Sequence, residues 1–392
     1  MATTRDEVAA HIERARGILR LEPTFVARDW IPEGARIAIP GGYDAGERGT
    51  FSERWLASTT PADNRVGPDD EGLSYLRTPD GASMLLGDAV EAAFSLLAGV
   101  QYAAAHDGLG RLAKVFDYSA RVPFHIHPPA DQASKVGRHS KDEAYYIPPQ
   151  TDFGPHPETF LGLHPSFVGG AGAERIVEHL RAWDSDEILG LSRAYQQLVE
   201  EGFFVPSGVL HAPGTALTVE LQEDSDALAM LQAVNAGRPI SKRLLYKDIS
   251  DHDRDQHAEA SVLDWIDWDR NTDAYLYEHT HITPVEFATT EGASEAWIFT
   301  GTRKFSGKRL WLQPGATYTA TERGVFNLLV WQGEGTIGGV PVRGGVPGED
   351  ELFIVHDRAV QAIEYANTGT DPLLVIKFFG PDVNPDSPLV GE

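Results

Sequence analysis

The chain has 392 residues, of which 42% are hydrophobic and 23% charged, which is typical of a folded protein of two or three domains and not of a disordered or fibrous chain. Its 58 acidic and 33 basic residues give a net charge of −25, which disfavours binding to nucleic acid or to an anionic membrane surface. The chain has no cysteine, and this excludes disulfides, thiolate metal ligands and cysteine nucleophiles.

The N-terminal segment is predicted to form an amphipathic helix. Thr4 followed by Glu7 is a capping-box pattern, which is typical of a helix start. Apolar residues then recur at helical spacing as far as Pro23: Val8, Ile12, Ala15 and Leu19. We therefore assign residues 1–29 to an N-terminal helix and a lead-in.

The middle of the chain combines strand-like and helical patterns. From Trp30 to Ile147, short apolar stretches separated by Gly, Pro and Asp predict strands and turns. Helical spacing returns at about 170–202, where Asp184 and Glu187 form a second capping-box pattern between two short helices and Gly202 ends the second. Strand texture resumes at Phe203.

An acidic, polar stretch at 251–273 is predicted as a linker, and the remainder of the chain is again rich in strand patterns. The sequence therefore predicts a mainly β protein with two small barrels or sandwiches, and a short helical insertion in the first. The predicted domains are 30–250 with the insertion at about 170–202, and 274–392.

The residues with the clearest chemical pattern lie in the first predicted domain. His125 and His127 alternate on a strand and would share one face, and Glu143 on an adjoining strand could join them. The Pro-x-Gly turn at Pro206 would present His211 at the start of the next strand. Neutral imidazoles and a carboxylate suit Zn, Mn, Fe, Co or Ni, so these four residues predict a site for one divalent metal ion.

The strand after His211 alternates between two faces. Leu217, Val219 and Leu221 would share one face, and Thr218, Glu220 and Gln222 the other. A small barrel with a polar interior would explain the polar face. Taken alone, Glu220 could equally belong to a structural ion pair, and Lys141 could equally be a surface lysine.

The order H-x-H, Glu, P-x-G-x-x-H resembles the metal motifs of the cupin superfamily, and the chain resembles more narrowly the type I phosphomannose isomerases. The resemblance covers most of residues 30–250, in the stretches 53–58, 112–117, 125–128, 141–147, 203–211 and 219–226. It implies two cupin (double-stranded β-helix, or jelly-roll) barrels, of which the second binds no metal. A rival pair, His279 and His281, lacks the other motifs and is better explained by a linker or an edge strand.

The resemblance assigns roles to individual residues. It implies that His125, His127, Glu143 and His211 are the metal ligands, although His125 stands where the family usually has Gln. The lysine two residues before the ligand Glu is present as Lys141. The glutamate nine residues after the last ligand is present as Glu220.

One family residue is absent, because Met230 occupies the position of an arginine that handles the reacting or phosphorylated substrate. The set of three His and one Glu is similar to that of cupin isomerases of unphosphorylated sugars, such as D-lyxose isomerase, and also to that of cupin dioxygenases. We therefore expect a metal-dependent aldose–ketose isomerase that acts on an unphosphorylated monosaccharide through an enediol. The alternatives are a mannose-6-phosphate isomerase proper, and a non-isomerase cupin that is either an Fe dioxygenase or a metal-bearing binding protein.

In the expected reaction, Glu220 is the general base and Lys141 stabilises the oxyanion. Zinc is the metal expected first, with Mn, Co, Fe and Ni as alternatives. Arg138, His139 and Gln222 are candidates for substrate binding. Lys135 extends the first basic cluster, and a second one is formed by Lys242, Arg243 and Lys247.

The expected partner is a small carbohydrate, with no nucleic acid and no membrane, and the acidic surface is compatible with a homo-oligomer. The first residues are charged rather than apolar, and no stretch reaches the length of a membrane span. We therefore expect the protein in the cytoplasm.

Overall fold

The computed structural model describes residues 3–167 and 170–389. The chain is mainly β, with 29% strand and 23% helix, as predicted. The strands, numbered along the chain, are β1 (Ile18–Leu21), β2 (Thr24–Val26), β3 (Glu53–Leu56), β4 (Tyr75–Arg77), β5 (Ser83–Leu85), β6 (Leu112–Phe116), β7 (His125–Ile126), β8 (Glu143–Tyr146), β9 (Glu158–Leu161), β10 (Arg193–Gln196), β11 (Gly202–Val205), β12 (His211–Ala212), β13 (Thr218–Gln222), β14 (Ala229–Met230), β15 (Val234–Asn235), β16 (Arg238–Pro239), β17 (His281–Ile282), β18 (Val285–Thr290), β19 (Ala293–Phe299), β20 (Ser306–Leu312), β21 (Thr317–Ala320), β22 (Phe326–Gln332), β23 (Glu334–Ile337), β24 (Val340–Arg343), β25 (Glu351–Ile354), β26 (Ile363–Asn367) and β27 (Leu373–Phe379).

Most of the described α-helices lie in the first two thirds of the chain. The α-helices are α1 (Arg5–Arg14), α2 (Leu86–Ala98), α3 (Val100–Ala105), α4 (Ala130–Ser134), α5 (Gly170–Ala182), α6 (Asp251–His257), α7 (Trp268–Asn271), α8 (Leu276–Thr280) and α9 (His356–Ala359). Single 3-10 turns or short 3-10 helices cover Gly46–Arg48, Pro165–Phe167, Glu187–Leu191, Lys242–Leu244 and Ala258–Trp265. Within the described part of the chain, no helix combines the length and the apolar character needed to cross a membrane.

The four larger sheets pack in two pairs, each through a shared apolar cluster. The first pair is a seven-stranded sheet in the order β17-β11-β8-β13-β6-β3-β2 and a five-stranded sheet in the order β10-β9-β12-β7-β14. The second pair is a nine-stranded sheet in the order β18-β19-β20-β27-β22-β25-β1-β4-β5 and a four-stranded sheet in the order β21-β26-β23-β24. Strands β15 and β16 form a separate hairpin.

The two large sheets pack against each other through an apolar cluster. This cluster includes Val219 and Leu221 of β13 and Ile376 and Phe378 of β27. Glu220 lies between the two apolar residues of β13 and points to the opposite face, because successive side chains of a strand alternate. As predicted, the side chains of this strand alternate. One face packs in the core between the two large sheets, and the other faces the space between the seven- and five-stranded sheets.

The N-terminal capping box forms as predicted, with the Thr4 hydroxyl accepting from the Glu7 amide. The helix is shorter than predicted and ends at Arg14, because Arg16 and Gly17 both have positive φ angles, of 51° and 75°. Leu19 therefore lies on β1, not on the helix. This strand joins the nine-stranded sheet between β25 and β4.

The prediction of strands and turns alone for 30–147 is wrong at 86–105, where the chain forms α2 and α3. The buried residues of α2 include Leu86, Ala89, Ala93 and Leu97, which recur at a helical spacing. They pack in one cluster with Val8 of α1. The helical spacing of these apolar residues is visible in the sequence, but the neighbouring Gly and Pro residues favour a prediction of strands and turns.

The first predicted helix of the insertion is present as α5, but the prediction of a second α-helix is wrong. Residues 187–191 form a short 3-10 helix, and Asp186 caps it without a side-chain hydrogen bond. The capping box expected from Asp184 and Glu187 is therefore not formed. Tyr195 lies on β10, which pairs with β9, so sheet pairing overrides the helical spacing in this stretch.

The stretch 251–273, predicted as a linker, is helical and packed. It contains α6, the 3-10 helix Ala258–Trp265 and α7. Val262 and Trp265 are buried in one apolar cluster with Ile176 and Leu180 of α5. The domain limits at 29/30, 250/251 and 273/274 stay predictions, and strand β1 of the first segment belongs to the sheet of the last one.

Candidate active site

Four predicted metal ligands lie together between the facing sheets of the first pair. His125 is on β7, His127 follows that strand, Glu143 begins β8 and His211 begins β12. One ligand atom from each residue lies within 4.8 Å of every other, and all four side chains are buried. In the part of the chain that the structure describes, no other group of three or more such residues is found.

The turn before His211 brings the two histidine-bearing segments into contact. Gly208 has a φ angle of 85°, a conformation that is unfavourable for residues with a Cβ atom. Its amide donates a 3.0 Å hydrogen bond to the carbonyl of His127. The P-x-G-x-x-H pattern therefore describes a turn that closes onto the H-x-H strand.

The three imidazoles are held by their Nδ1 atoms. Each Nδ1 lies at hydrogen-bond distance from a backbone carbonyl oxygen: His125 from Pro123 at 2.8 Å, His127 from Ala227 at 2.8 Å and His211 from Val209 at 2.9 Å. Since a carbonyl can only accept, each Nδ1 carries the proton and each Nε2 keeps its lone pair. This orientation by the second ring nitrogen is usual for histidines that bind a metal.

The lone pairs of two imidazoles face a carboxylate. The Nε2 atom of His211 lies 2.8 Å from Oε1 of Glu143, and that of His127 lies 3.1 Å from Oε2. The buried Nε2 of His211 has no hydrogen-bond partner in the described structure. The Lys141 ammonium lies 3.1 Å from Nε2 of His127 and 2.9 Å from Oε2 of Glu143, so it satisfies that pair of acceptors. The Nε2 of His211 and Oε1 of Glu143 instead face one another as acceptors, away from water, which is unfavourable without a cation between them. The residues therefore fit one divalent metal ion.

The protonation states also suit a metal. Burial lowers the pKa of His127 to about 4 and that of His125 well below its ordinary value, so both rings are neutral at pH 7. Burial alone would raise the pKa of Glu143, but Lys141, His127 and His211 together outweigh it and hold this pKa well below the ordinary range. Neutral imidazole and ionised carboxylate are the forms that ligate.

Lys141 and Glu220 lie beside the ligands, as predicted for the catalytic pair. The Lys141 ammonium is 2.9 Å from Oε2 of Glu143 and 3.6 Å from Oε1 of Glu220. Burial raises the pKa of Glu220 above its ordinary value, while Lys114 opposes this shift with its ammonium 3.2 Å from Oε2. The carboxyl therefore lies between two lysines, next to the metal cluster.

The sequence analysis missed a buried ion network behind this pair. Arg28 contacts Glu53 at 2.8 Å and Asp226 at 3.0 Å, and Glu53 also accepts hydrogen bonds from Trp55 and Tyr118. Glu53 and Asp226 lie in stretches that carry the family resemblance, but Arg28 lies in the lead-in. Only the folded chain brings these three residues together.

Two neighbouring cavities, which share some lining residues, lie at the site. An inner cavity of about 40 Å³ is lined by the ligands His125, His127 and Glu143 together with Lys141 and Glu220. An outer pocket of about 500 Å³ lies beside it. The two cavities share four of their lining residues: Arg28, Trp30, Leu228 and Met230.

The predicted substrate-binding residues are placed unequally. Arg138 lines the outer pocket, with its guanidinium 2.8 Å from Asp63. His139 is exposed and lines neither cavity. Gln222 is buried, but its amide donates to the Glu223 carbonyl at 3.0 Å and it also lines neither cavity. The structure thus brings only Arg138 of the three to the site.

The rival histidine pair is explained by local contacts. His281 lies on β17, an edge strand of the seven-stranded sheet, with its Nε2 2.6 Å from Glu201. His279 is exposed and contacts Asp273 at 2.5 Å. The two rings have different carboxylate partners, and His279 lies on α8, so only His281 is on an edge strand.

Comparison with known proteins rests on structure alone. No family model matches the sequence, and no curated protein matches it. The mannose 6-phosphate isomerase of Bacillus subtilis is similar in structure, with a TM-score of 0.63 and 19% identity over 92% of this chain and 99% of that one. The chain has the fold of the type I phosphomannose isomerases.

Two further structures support the same fold. A single-site variant of the phosphomannose isomerase of Salmonella typhimurium has a TM-score of 0.62 and 12% identity, over 93% of this chain and all 100% of that one. A mannose 6-phosphate isomerase solved with zinc bound has a TM-score of 0.60 and 12% identity over the same shares. The similarity therefore covers nearly the whole chain, well beyond the stretch 30–250 that the sequence motifs indicate.

Proposed function

We propose that this protein is a metal-dependent isomerase that interconverts an aldose and a ketose through an enediol. The observation that carries the proposal is one buried cavity in which the three-histidine, one-glutamate cluster lies beside Lys141 and Glu220. The site combines ligands for a divalent ion with a carboxylate and an ammonium that can move or stabilise charge. The fold shared with mannose 6-phosphate isomerases supports the same chemistry.

His125, His127, Glu143 and His211 would hold the metal. Zinc is the ion expected first, because a similar structure contains it and because imidazole and carboxylate are ordinary zinc ligands. Mn, Co, Fe and Ni remain alternatives for the same ligand set. When bound, the ion supplies Lewis-acid polarisation of the substrate carbonyl, which acidifies the adjacent C–H bond.

Glu220 would move the proton. Its carboxyl takes a proton from one of the carbons C1 and C2 and returns it to the other, which interconverts the two sugars through the enediol. Burial favours the neutral form of this group and its two lysine neighbours favour the charged form, so both forms of the carboxyl are accessible during turnover. Lys141, 3.6 Å from the same carboxyl, would donate to the oxygen that gains negative charge.

We infer that the substrate is a phosphorylated hexose, with mannose 6-phosphate as the first candidate. The free monosaccharide expected from Met230 gains no support from the similar structures, which are mannose 6-phosphate isomerases. Met230 lines both cavities, and the outer pocket beyond it contains several cationic side chains. Localisation in the cytoplasm and a homo-oligomeric state stay predictions.

The direct test is sugar interconversion followed by NMR, with the protein reloaded with Zn, Mn or Co. Mannose, glucose and lyxose would be compared with mannose 6-phosphate and glucose 6-phosphate. We expect turnover of mannose 6-phosphate and little of the free sugars. Turnover of free sugars alone would restore the expectation drawn from Met230. If the metal-loaded protein converts none of these sugars but consumes oxygen in a separate uptake assay, the protein is a dioxygenase and the proposal is contradicted.

A further inference from the structure

The lining of the outer pocket is positively charged overall, although the chain as a whole is negatively charged. The chain carries a net charge of −25, yet the pocket lining has twice as many cationic side chains as carboxylates. The cations are Arg28, Arg65, Arg138, Arg243, Lys247 and Arg254, and the carboxylates are Asp29, Asp63 and Asp251. A pocket of this sign on an acidic protein concentrates small anions.

Most of these cations already have carboxylate partners. Lys247 lies 3.3 Å from Asp63, which also contacts Arg138 at 2.8 Å. The remaining pairs are Arg138 with Asp248 at 3.7 Å, Lys247 with Asp248 at 3.8 Å and Asp226 at 4.0 Å, Arg254 with Asp251 at 3.0 Å and Asp255 at 3.5 Å, and Arg28 with Glu53 and Asp226. These residues have little charge left for a ligand.

Arg65 and Arg243 differ from the others. Both are exposed, and within residues 3–167 and 170–389 neither guanidinium has a carboxylate within 4.0 Å or a hydrogen-bond partner. They come from distant parts of the chain, one from the segment after β3 and the other from the 3-10 helix Lys242–Leu244. The fold therefore places two unpaired guanidinium groups on one pocket that shares lining residues with the cavity at the metal cluster.

The position of this pocket suits the far end of a substrate. The inner cavity of about 40 Å³ has room for the reacting atoms at the metal but not for a whole sugar phosphate. Met230 lines both cavities and offers no charge. An anionic group on the far end of the sugar would therefore meet its cationic partners further out, in the outer pocket.

We propose that Arg65 and Arg243 form an anion subsite that binds the phosphate monoester of the substrate. The inference rests on the proposed isomerase function and adds the residues that select for the phosphate. Guanidinium groups match phosphate well, because their planar N–H donors form paired, charge-assisted hydrogen bonds. The subsite takes over the task of the arginine that Met230 replaces, from different positions in the chain.

The test measures the binding of inorganic phosphate to the metal-loaded protein by calorimetry at low ionic strength. R65Q and R243Q would each weaken this binding about tenfold, as expected for the loss of a charge-assisted contact. The same variants would raise the KM for mannose 6-phosphate and leave kcat and the metal content near the wild-type values. R254Q is the matched control, because its guanidinium lines the same pocket but is already paired, and it should change phosphate binding less than about twofold.

The outcomes separate the two proposals. Phosphate binding that is unchanged in the R65Q/R243Q double variant would overturn the subsite, even if mannose 6-phosphate is turned over. Phosphate binding that depends on both arginines, in a protein that isomerises no sugar, would support the subsite and contradict the proposed function. Equal weakening by R254Q would show a general effect of pocket charge and would also overturn the assignment to these two residues.

Discussion

His125 and His211 are directly opposite one another in the antiparallel pairing of β7 with β12, and their ring centroids lie 4.0 Å apart. The two imidazoles are therefore fixed by a sheet and not by a mobile loop. Their Nδ1 hydrogen bonds to backbone carbonyls add a second constraint on each ring. A metal centre built in this way is organised before the ion arrives, which favours binding because little order must be gained.

Replacing His211 by Ala should remove the metal. The variant loses one of the four ligand atoms, so we expect the metal content to fall from about one ion per chain to below about a tenth. Elemental analysis after dialysis measures this. His279→Ala, at an exposed histidine outside the cluster, should retain the ion. Full metal content in the His211 variant would show that the cluster is not the binding site.

Replacing His125 by Gln should be tolerated. Glutamine stands at this position in the family that the chain resembles, and its carbonyl oxygen can replace one imidazole nitrogen as a ligand. We expect the variant to keep one metal ion per chain with lower affinity, measured by competition with a chelator. Loss of the ion equal to that in the His211 variant would contradict this expectation.

Replacing Glu220 by Gln should separate metal binding from turnover. The amide keeps the size of the side chain but cannot accept the substrate proton, so kcat should fall by at least about 10²-fold while the metal content is unchanged. The readout is sugar interconversion by NMR together with elemental analysis. Glu364→Gln, at an exposed position of β26, serves as the control. Turnover near the wild-type rate in the Glu220 variant would exclude this residue as the base.

The buried ion network predicts a pH-dependent stability. Burial alone would raise the pKa of Glu53, but the charges of Arg28 and Lys114 together with the hydrogen bond from Arg28 outweigh it and lower this pKa from 4.5 to about 2. Because the folded-state pKa is lowered, the stabilisation is fully present above pH 4.5 and is lost as the pH falls toward 2. The full shift corresponds to roughly 3 kcal/mol.

Urea denaturation of the wild type and of Glu53→Gln tests this. The variant should be less stable at pH 6 by a few kcal/mol, because Arg28 loses one of its two charged partners. Between pH 6 and pH 3.5 the difference should narrow by about 1 kcal/mol, since protonated Glu53 resembles glutamine. A difference that stays constant over this range would show that the carboxylate is not held in its charged form by Arg28.

The helical stretch 251–273 should contribute to stability as a packed element. Trp265 is 2% exposed and contacts the apolar cluster around α5, so Trp265→Ala should cost about 3–5 kcal/mol of unfolding free energy. Asp264→Ala, at the exposed neighbouring residue, should change it by less than about 0.5 kcal/mol. Chemical denaturation measures both. Similar small effects of the two substitutions would indicate a loosely attached connector.

The metal ligands could be predicted from the sequence because their signals are local. The alternation of His125 and His127 on a strand and the turn that ends at His211 each need only a few neighbouring residues. The orientation of the Glu220 side chain could be predicted for the same reason, because alternation along β13 places it on the face opposite to the core. Lys114 was not recognised, because its role depends on the pairing of β6 with β13 and not on its own neighbours.

The errors arise where contacts between distant segments decide the structure. Leu19 fits the helical spacing of the N-terminal segment equally well as part of a strand, and pairing with β25 decides the outcome. Tyr195 likewise fits a helical spacing, but its segment pairs with β9 and forms strand β10. Arg28 meets Asp226 only in the folded chain. Spacing along the sequence carries no information about such partners.

The position of β1 also constrains how the protein can be made. Ile18 pairs with Ile354, so a chain growing on the ribosome exposes β1 long before its partner strand has been synthesised. The nine-stranded sheet cannot close until almost all of the polypeptide has emerged. A product truncated before β25 would leave one edge of β1 unpaired and open to aggregation.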